Sequence, residues 1–179
     1  MHDVNWLTAA AQQQQLQKVL DTNKRTEAYG LVLTQQDAEN LLAGRKAVLQ
    51  ETQRVELRHS ILPVLIETFC SSTYLHPQNY VETLLRLQEI FFYYKNETMD
   101  ELTDEELLQV MREQFDGVCY GDLDYLENTC LDIFAQAVRA GYQGRNPKER
   151  NLDFSASDIV PRWDRQLYLD ALQELMGWR

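Results

Sequence analysis

The residues of this chain that could do chemistry are few: three histidines, three cysteines and a dense group of carboxylates. Glu56 and His59 stand three apart and would share one helix face, as in half of a di-iron bundle site. Such a site needs a second Glu/His pair and two further glutamates. Neither His2 nor His76 has a glutamate three residues before it, so the ligand count falls short. Cys70, His76, Cys119 and Cys130 make four zinc-type ligands, but without the close local pairing that zinc sites show. Asp116, Asp122, Asp124 and Glu127 surround Gly117 and Gly121. The alternating order of an EF-hand loop is absent there, so this stretch reads as an acidic helix-capping turn. For nucleophilic catalysis the candidates are Cys70 or Cys119 with His59 or His76. Cys70 ends an apolar row, where burial would raise its pKa and leave it inert. The chain contains neither a G-x-S-x-G elbow nor a phosphate-cradling glycine loop. We assign no catalytic residue, metal or cofactor, and the reading leans away from an enzyme. One polar set remains as a candidate pocket: Asn79, Tyr93, Lys95, Asn96 and Glu97. Its plainer reading is a capping network that holds the next helix.

Charge is more informative. The net charge is −11, and twelve acidic residues against one basic residue, Arg112, lie between Glu97 and Asp132. That stretch holds the whole imbalance. Such a surface repels nucleic-acid backbone and anionic membrane and attracts a basic partner. The longest apolar stretches are amphipathic and too short to cross a bilayer. The first residues lack the basic-then-apolar order of a secretory signal, and an odd number of cysteines without CxxC spacing suits a reducing compartment. The expectation is a cytoplasmic protein.

These residues need elements to position them. Few glycines and prolines, with much Leu, Gln and Glu, favour helix. Residues 3–22 suit a peripheral helix. Thr34 and Asp37 open another helix, to about Thr52. Between them Tyr29–Leu33 reads as extended and could pair with Val55–Leu57 in a minimal two-stranded ribbon. Ser60 caps an apolar helix through Cys70. The central element is expected at about 77–95, with Pro77 in its first turn. Tyr80, Leu84, Leu87, Phe91 and Tyr94, flanked by Val81, Leu85 and Phe92, cover about half its circumference. One neighbour cannot cover so wide an arc. Thr103 and Glu106 form a capping box for the next helix, closed at Gly117 by a left-handed cap. Asp122 caps another, to Gly141. Residues 143–157 are polar and read as a linker. Pro161 can start a last helix bearing Trp163, Leu167, Leu169, Leu172, Leu175, Met176 and Trp178.

From Tyr29 to Tyr142 the chain resembles a family of uncharacterised bacterial proteins, a domain of unknown function. The likeness is carried by Tyr29-Gly30-Leu31-Val32-Leu33-Thr34, Arg54-Val55-Glu56, Phe69-Cys70-Ser71-Ser72, Asn79-Tyr80, Tyr94-Lys95-Asn96-Glu97 and Phe115-Asp116-Gly117-Val118-Cys119. At 58–60, where glycines are expected, stand Arg58, His59 and Ser60. The resemblance implies a small, bacterial, cytoplasmic, helical protein and brings no reaction or cofactor.

The sequence therefore predicts an all-α, irregular bundle of six or seven helices over residues 1–142. Residues 143–179 form a linker and a helix that docks on the bundle or binds a partner, including a second copy. The function expected is a non-enzymatic protein–protein interaction or scaffold module. Its expected partner-binding residues are Asp100, Asp104, Glu105, Asp122, Asp124, Trp163 and Trp178, facing a protein with a basic surface. Direct nucleic-acid and membrane binding are not expected. Two alternatives stand beside it: a small enzyme or ligand-binding protein with a pocket near Asn79, Tyr93 and Glu97, and an acidic mimic of nucleic acid.

Overall fold

The structure, a computed structural model, describes residues 2–56 and 59–144. The linker, the last helix, Trp163 and Trp178 lie outside the described residues. The order is α1 (His2–Asp21), α2 (Asn23–Thr26), a 3-10 turn (Glu27–Tyr29), α3 (Gln35–Thr52), α4 (Ile61–Phe69), α5 (Tyr80–Glu97), α6 (Asp104–Asp116), α7 (Leu123–Tyr125), a π turn (Leu126–Cys130) and α8 (Leu131–Gly144). This is an all-α bundle, and among the described residues there is no strand.

The local signals for helix starts work as their chemistry demands. Thr34 accepts from the Asp37 amide while Asp37 accepts from the Thr34 amide, and Thr103 with Glu106 repeats the exchange. Ser60 and Asp122 accept from Leu62 and Tyr125 amides. Each satisfies donors that the first helical turn leaves without a partner.

The wide apolar arc of α5 has the expected consequence. This helix packs against α3, α4, α6, α7 and α8, with α1 lying outside on α3 and α4. Leu84, Leu87, Ile90 and Phe91 of α5 are at most 1% exposed, and Leu41, Leu65, Ile66, Met111 and Phe134 of the surrounding helices are buried with them. Burial on that scale, at about 25 cal/mol per Å² of apolar surface, is the main force holding the bundle.

Three local expectations are corrected. Among the described residues the ribbon does not form. Leu31 and Leu33 are buried and Val32 is exposed, an alternation that mimics a strand. Their backbone groups, however, are satisfied locally: the Asn23 amide donates to Leu33 O and accepts from Leu33 N, both at 2.8 Å, and Leu31 N donates to Thr26 O. On the other side Val55 is 77% exposed, and Leu57 lies outside the described residues. The central helix begins at Tyr80, not Pro77. The Asn79 side chain closes a turn ahead of it, accepting from His76 N at 2.7 Å and donating to Tyr74 O at 3.0 Å. Gly117 is not left-handed; its φ is −87°. A Cβ there would stand 2.8 Å from the Glu113 carbonyl oxygen, so glycine is required for close approach. The left-handed turn comes later, at Tyr120 and Gly121.

Candidate functional site

Three consecutive residues at the end of α5 each hold a different element. Lys95 Nζ, buried, donates to Leu102 O at 2.8 Å and pairs with Asp104 at 2.9 Å and Asp100 at 3.7 Å. It thereby fixes the α5–α6 loop, in which Met99 and Asp100 both adopt left-handed backbone. Asn96 donates to Thr52 O at the end of α3 and accepts from Arg54 at 2.7 Å. Glu97 meets Arg139 of α8, which donates to its carbonyl at 2.7 Å and its carboxylate at 3.2 Å. A helix carboxyl end has carbonyls without intrahelical partners and a negative dipole end. Cations and side-chain donors from neighbouring elements converge there.

Arg54 completes this corner by gripping both oxygens of Asp100, at 3.1 and 2.5 Å. A two-pronged guanidinium–carboxylate contact is strong and directional. These Arg54 hydrogen bonds, chiefly, together with the charges of Arg54 and Lys95, hold the Asp100 carboxyl below its usual range, against a smaller opposing effect of burial. The sign follows directly. A carboxyl with a depressed folded pKa stabilises the fold above its unfolded pKa, and that contribution disappears as pH falls through the folded value. Arg54→Gln is expected to move the Asp100 titration upward, toward the ordinary Asp range, in an NMR pH series. An unchanged titration would remove Arg54 as the cause.

The expected pocket is not brought together as a set. Asn79 is at the start of α5 and Glu97 at its end, about 27 Å apart at 1.5 Å per residue. Tyr93 is 48% exposed, its ring edge-on to Tyr94. Lys95, Asn96 and Glu97 do cluster, in the network just described. A groove of about 950 Å³ runs elsewhere, between α1 and α3, lined in part by Leu16, Leu42, Leu49, Arg45, Lys46 and Arg54.

The carboxylates expected to meet a partner sort into two groups. Asp100 and Asp104 are about half exposed and serve Lys95. Glu105 and Asp122 are exposed, and Asp124 is 85% exposed with a 3.1 Å contact to Arg86, which also holds Glu127 at 2.7 Å. Lys95 stands just ahead of this segment, but the other basic residues opposing it pair across long stretches of chain: Arg54, Arg86 and Arg139. Sequence reasoning missed Arg54, Arg86 and Arg139, since each pair is separated by about forty residues and no local spacing announces it. A second missed lock is the Arg112 guanidinium, which bonds Asp116, Thr68 O and Ser71 and so ties α6 to the end of α4.

The three cysteines are buried, free thiols, as expected of small apolar side chains. Among the described residues no group of three or more His, Cys, Asp or Glu side chains is placed to hold a metal ion. Among them, too, no helix is long and apolar enough to cross a membrane.

Residues 18–144 match the model of a family of unknown function (DUF6323), and the chain belongs to that family. The resemblance carried by residues 29–142 falls wholly inside that match. No curated protein and no solved structure matches the chain.

Proposed function

We propose that this member of the family is a non-enzymatic protein–protein interaction module of a bacterial cytoplasmic system. Its acidic face, between the end of α5 and the π turn, receives a basic surface of a protein partner. The observation that carries the reading is the exposure of Glu105, Asp122 and Asp124 at the capped starts of α6 and α7. Carboxylates on short, fixed helix starts lose little freedom on binding and steer an oppositely charged surface into register. The same charge disfavours direct contact with nucleic-acid phosphates. The pocket alternative has less support, because Asn79 lies at the opposite end of α5 from Tyr93 and Glu97.

The network also says which variants test the reading. Neutralising Asp100 or Asp104 would disturb Lys95, so loss of binding there would mix folding with recognition. Glu105→Gln combined with Asp124→Asn leaves the Lys95 contacts and the Arg86–Glu127 pair intact. This double variant is expected to keep the helicity and melting temperature of the parent chain. Its affinity for a purified, basic partner should fall about tenfold at low salt, chiefly through slower association. Unchanged affinity, or binding indifferent to ionic strength, would defeat the acidic-face reading.

A further inference from the structure

Cys119 and Cys130 bring their sulfurs to 3.3 Å, with the Cys119 thiol donating toward Cys130 Sγ. Their surroundings are unusual on both sides. Cys119 sits in the wrapped end of α6, where its amide reaches Gln114 O and Gly121 N reaches Phe115 O, ahead of left-handed Tyr120 and Gly121. Cys130 closes the π turn Leu126–Cys130, a widened turn that α-helices rarely contain and that recurs at functional places. Nothing in the proposed interaction uses this pair.

We propose that Cys119 and Cys130 are an oxidisable dithiol, closed by hydrogen peroxide to a disulfide that ties the α6–α7 loop to the π turn. The reaction balances with peroxide as the two-electron oxidant. The Cys130 sulfur gives up its proton and attacks one peroxide oxygen; the O–O bond breaks, leaving a sulfenic acid on Cys130 and releasing water. The Cys119 sulfur then attacks the Cys130 sulfur. The S–O bond breaks, and the departing hydroxide takes the Cys119 proton as a second water. Two thiols are oxidised and one peroxide is reduced to two waters.

The order follows from geometry. Cys130 is the more exposed of the two, 7% against 4%, and its sulfur accepts the hydrogen bond that stabilises a thiolate. Burial pushes both thiols up, so attack is slow and selective for a small neutral oxidant. The ring closed by the bond contains Asp122, Asp124 and Glu127. Oxidation would therefore tether the part of the acidic face that those residues present, although the chemistry stands whether or not that face binds a partner. Cys70, whose thiol donates to Glu67 O instead, is the internal control.

The test is thiol counting on the full chain. After peroxide treatment of the folded protein, unfolding and alkylation, one thiol of three should react. The intact mass should fall by two hydrogens, peptide mapping should join Cys119 to Cys130, and dithiothreitol should restore all three thiols. Cys70→Ser should leave the cross-link unchanged. In Cys119→Ser, or Cys119→Ala if serine unfolds the chain by circular dichroism, dimedone should trap the sulfenic acid on Cys130. Three alkylatable thiols, oxygen addition without a cross-link, or a bond involving Cys70 or a second chain would each overturn the proposal. Trapping on Cys119 of the intact pair would overturn the order of attack.

Discussion

Glu56→Ala is expected to destabilise the bundle by about 2–4 kcal/mol, since it removes one partner of a partly buried ion pair and the acceptor of a helix-start amide. Against a typical total of about 5–15 kcal/mol, that is a large share of the stability. Glu56 has two jobs. One carboxylate oxygen accepts from Arg45 Nε at 2.6 Å, and the other accepts from the Ile61 amide at 2.7 Å, at the first turn of α4. The side chains of Arg45 and Glu56 are only 12% and 11% exposed, so water replaces the lost carboxylate only in part. Alanine leaves a partly buried guanidinium without its carboxylate and an unpaired donor at a helix start. Glu56→Gln keeps an acceptor for Ile61 but not the charge, and should cost about 1–2 kcal/mol. Arg45→Met with Glu56→Leu should recover only the ionic part of the loss, because neither charge is then stranded while the Ile61 amide still lacks its acceptor. Urea unfolding with an unchanged slope measures all three. If alanine and glutamine variants both unfold at the parent midpoint, the pair does not hold α3 and α4 as described.

The second large effect is at the turn after α6. Gly121 has φ +79°, and a Cβ there would lie 2.6–2.8 Å from Cγ, Cβ and Cδ1 of Tyr74. These are atoms near the root of that side chain, and they cannot swing away cheaply. The Tyr74 ring is further held edge-on against Phe115, which meets Phe69 in the same way. Gly121→Ala therefore combines a left-handed backbone cost of about 1 kcal/mol with an overpacking cost of about 1–3 kcal/mol, for a total of about 2–4 kcal/mol. Gly30 is the natural comparison. It has φ +73° but nothing within 4 Å of a built Cβ, so Gly30→Ala should show only the backbone part. Equal losses at the two glycines in denaturant unfolding would mean that Tyr74 yields, and the steric argument would fail.

Elements with a short-range cause were legible in the sequence. A Thr and an acidic residue three apart, or a Ser or Asp before an apolar run, determine a helix start through bonds spanning two or three residues. The spacing of Tyr80, Leu84, Leu87, Phe91 and Tyr94 likewise identified α5 as the helix with many neighbours. Its first residue was misplaced because a side chain at Asn79 outcompeted the helix for the turn at His76. The apparent strand at Leu31–Leu33 failed for a similar reason: an alternating pattern states which side chains are buried, and Asn23 supplied the hydrogen bonds a partner strand would have given.

Charge shows the division most clearly. That the chain concentrates its negative charge between Glu97 and Asp132 is a property of the sequence alone, since counting requires no coordinates. Which of those carboxylates are committed to the fold was decided by tertiary structure. Arg54 reaches Asp100 and Arg139 reaches Glu97 only because helix packing brings together residues that the chain keeps far apart. The same holds for Cys119 and Cys130, which read in isolation as two unremarkable apolar side chains. Helix propensity and caps act over one turn, whereas ion pairs and thiol contacts act through space. The sequence states the first directly and the second only after it has folded.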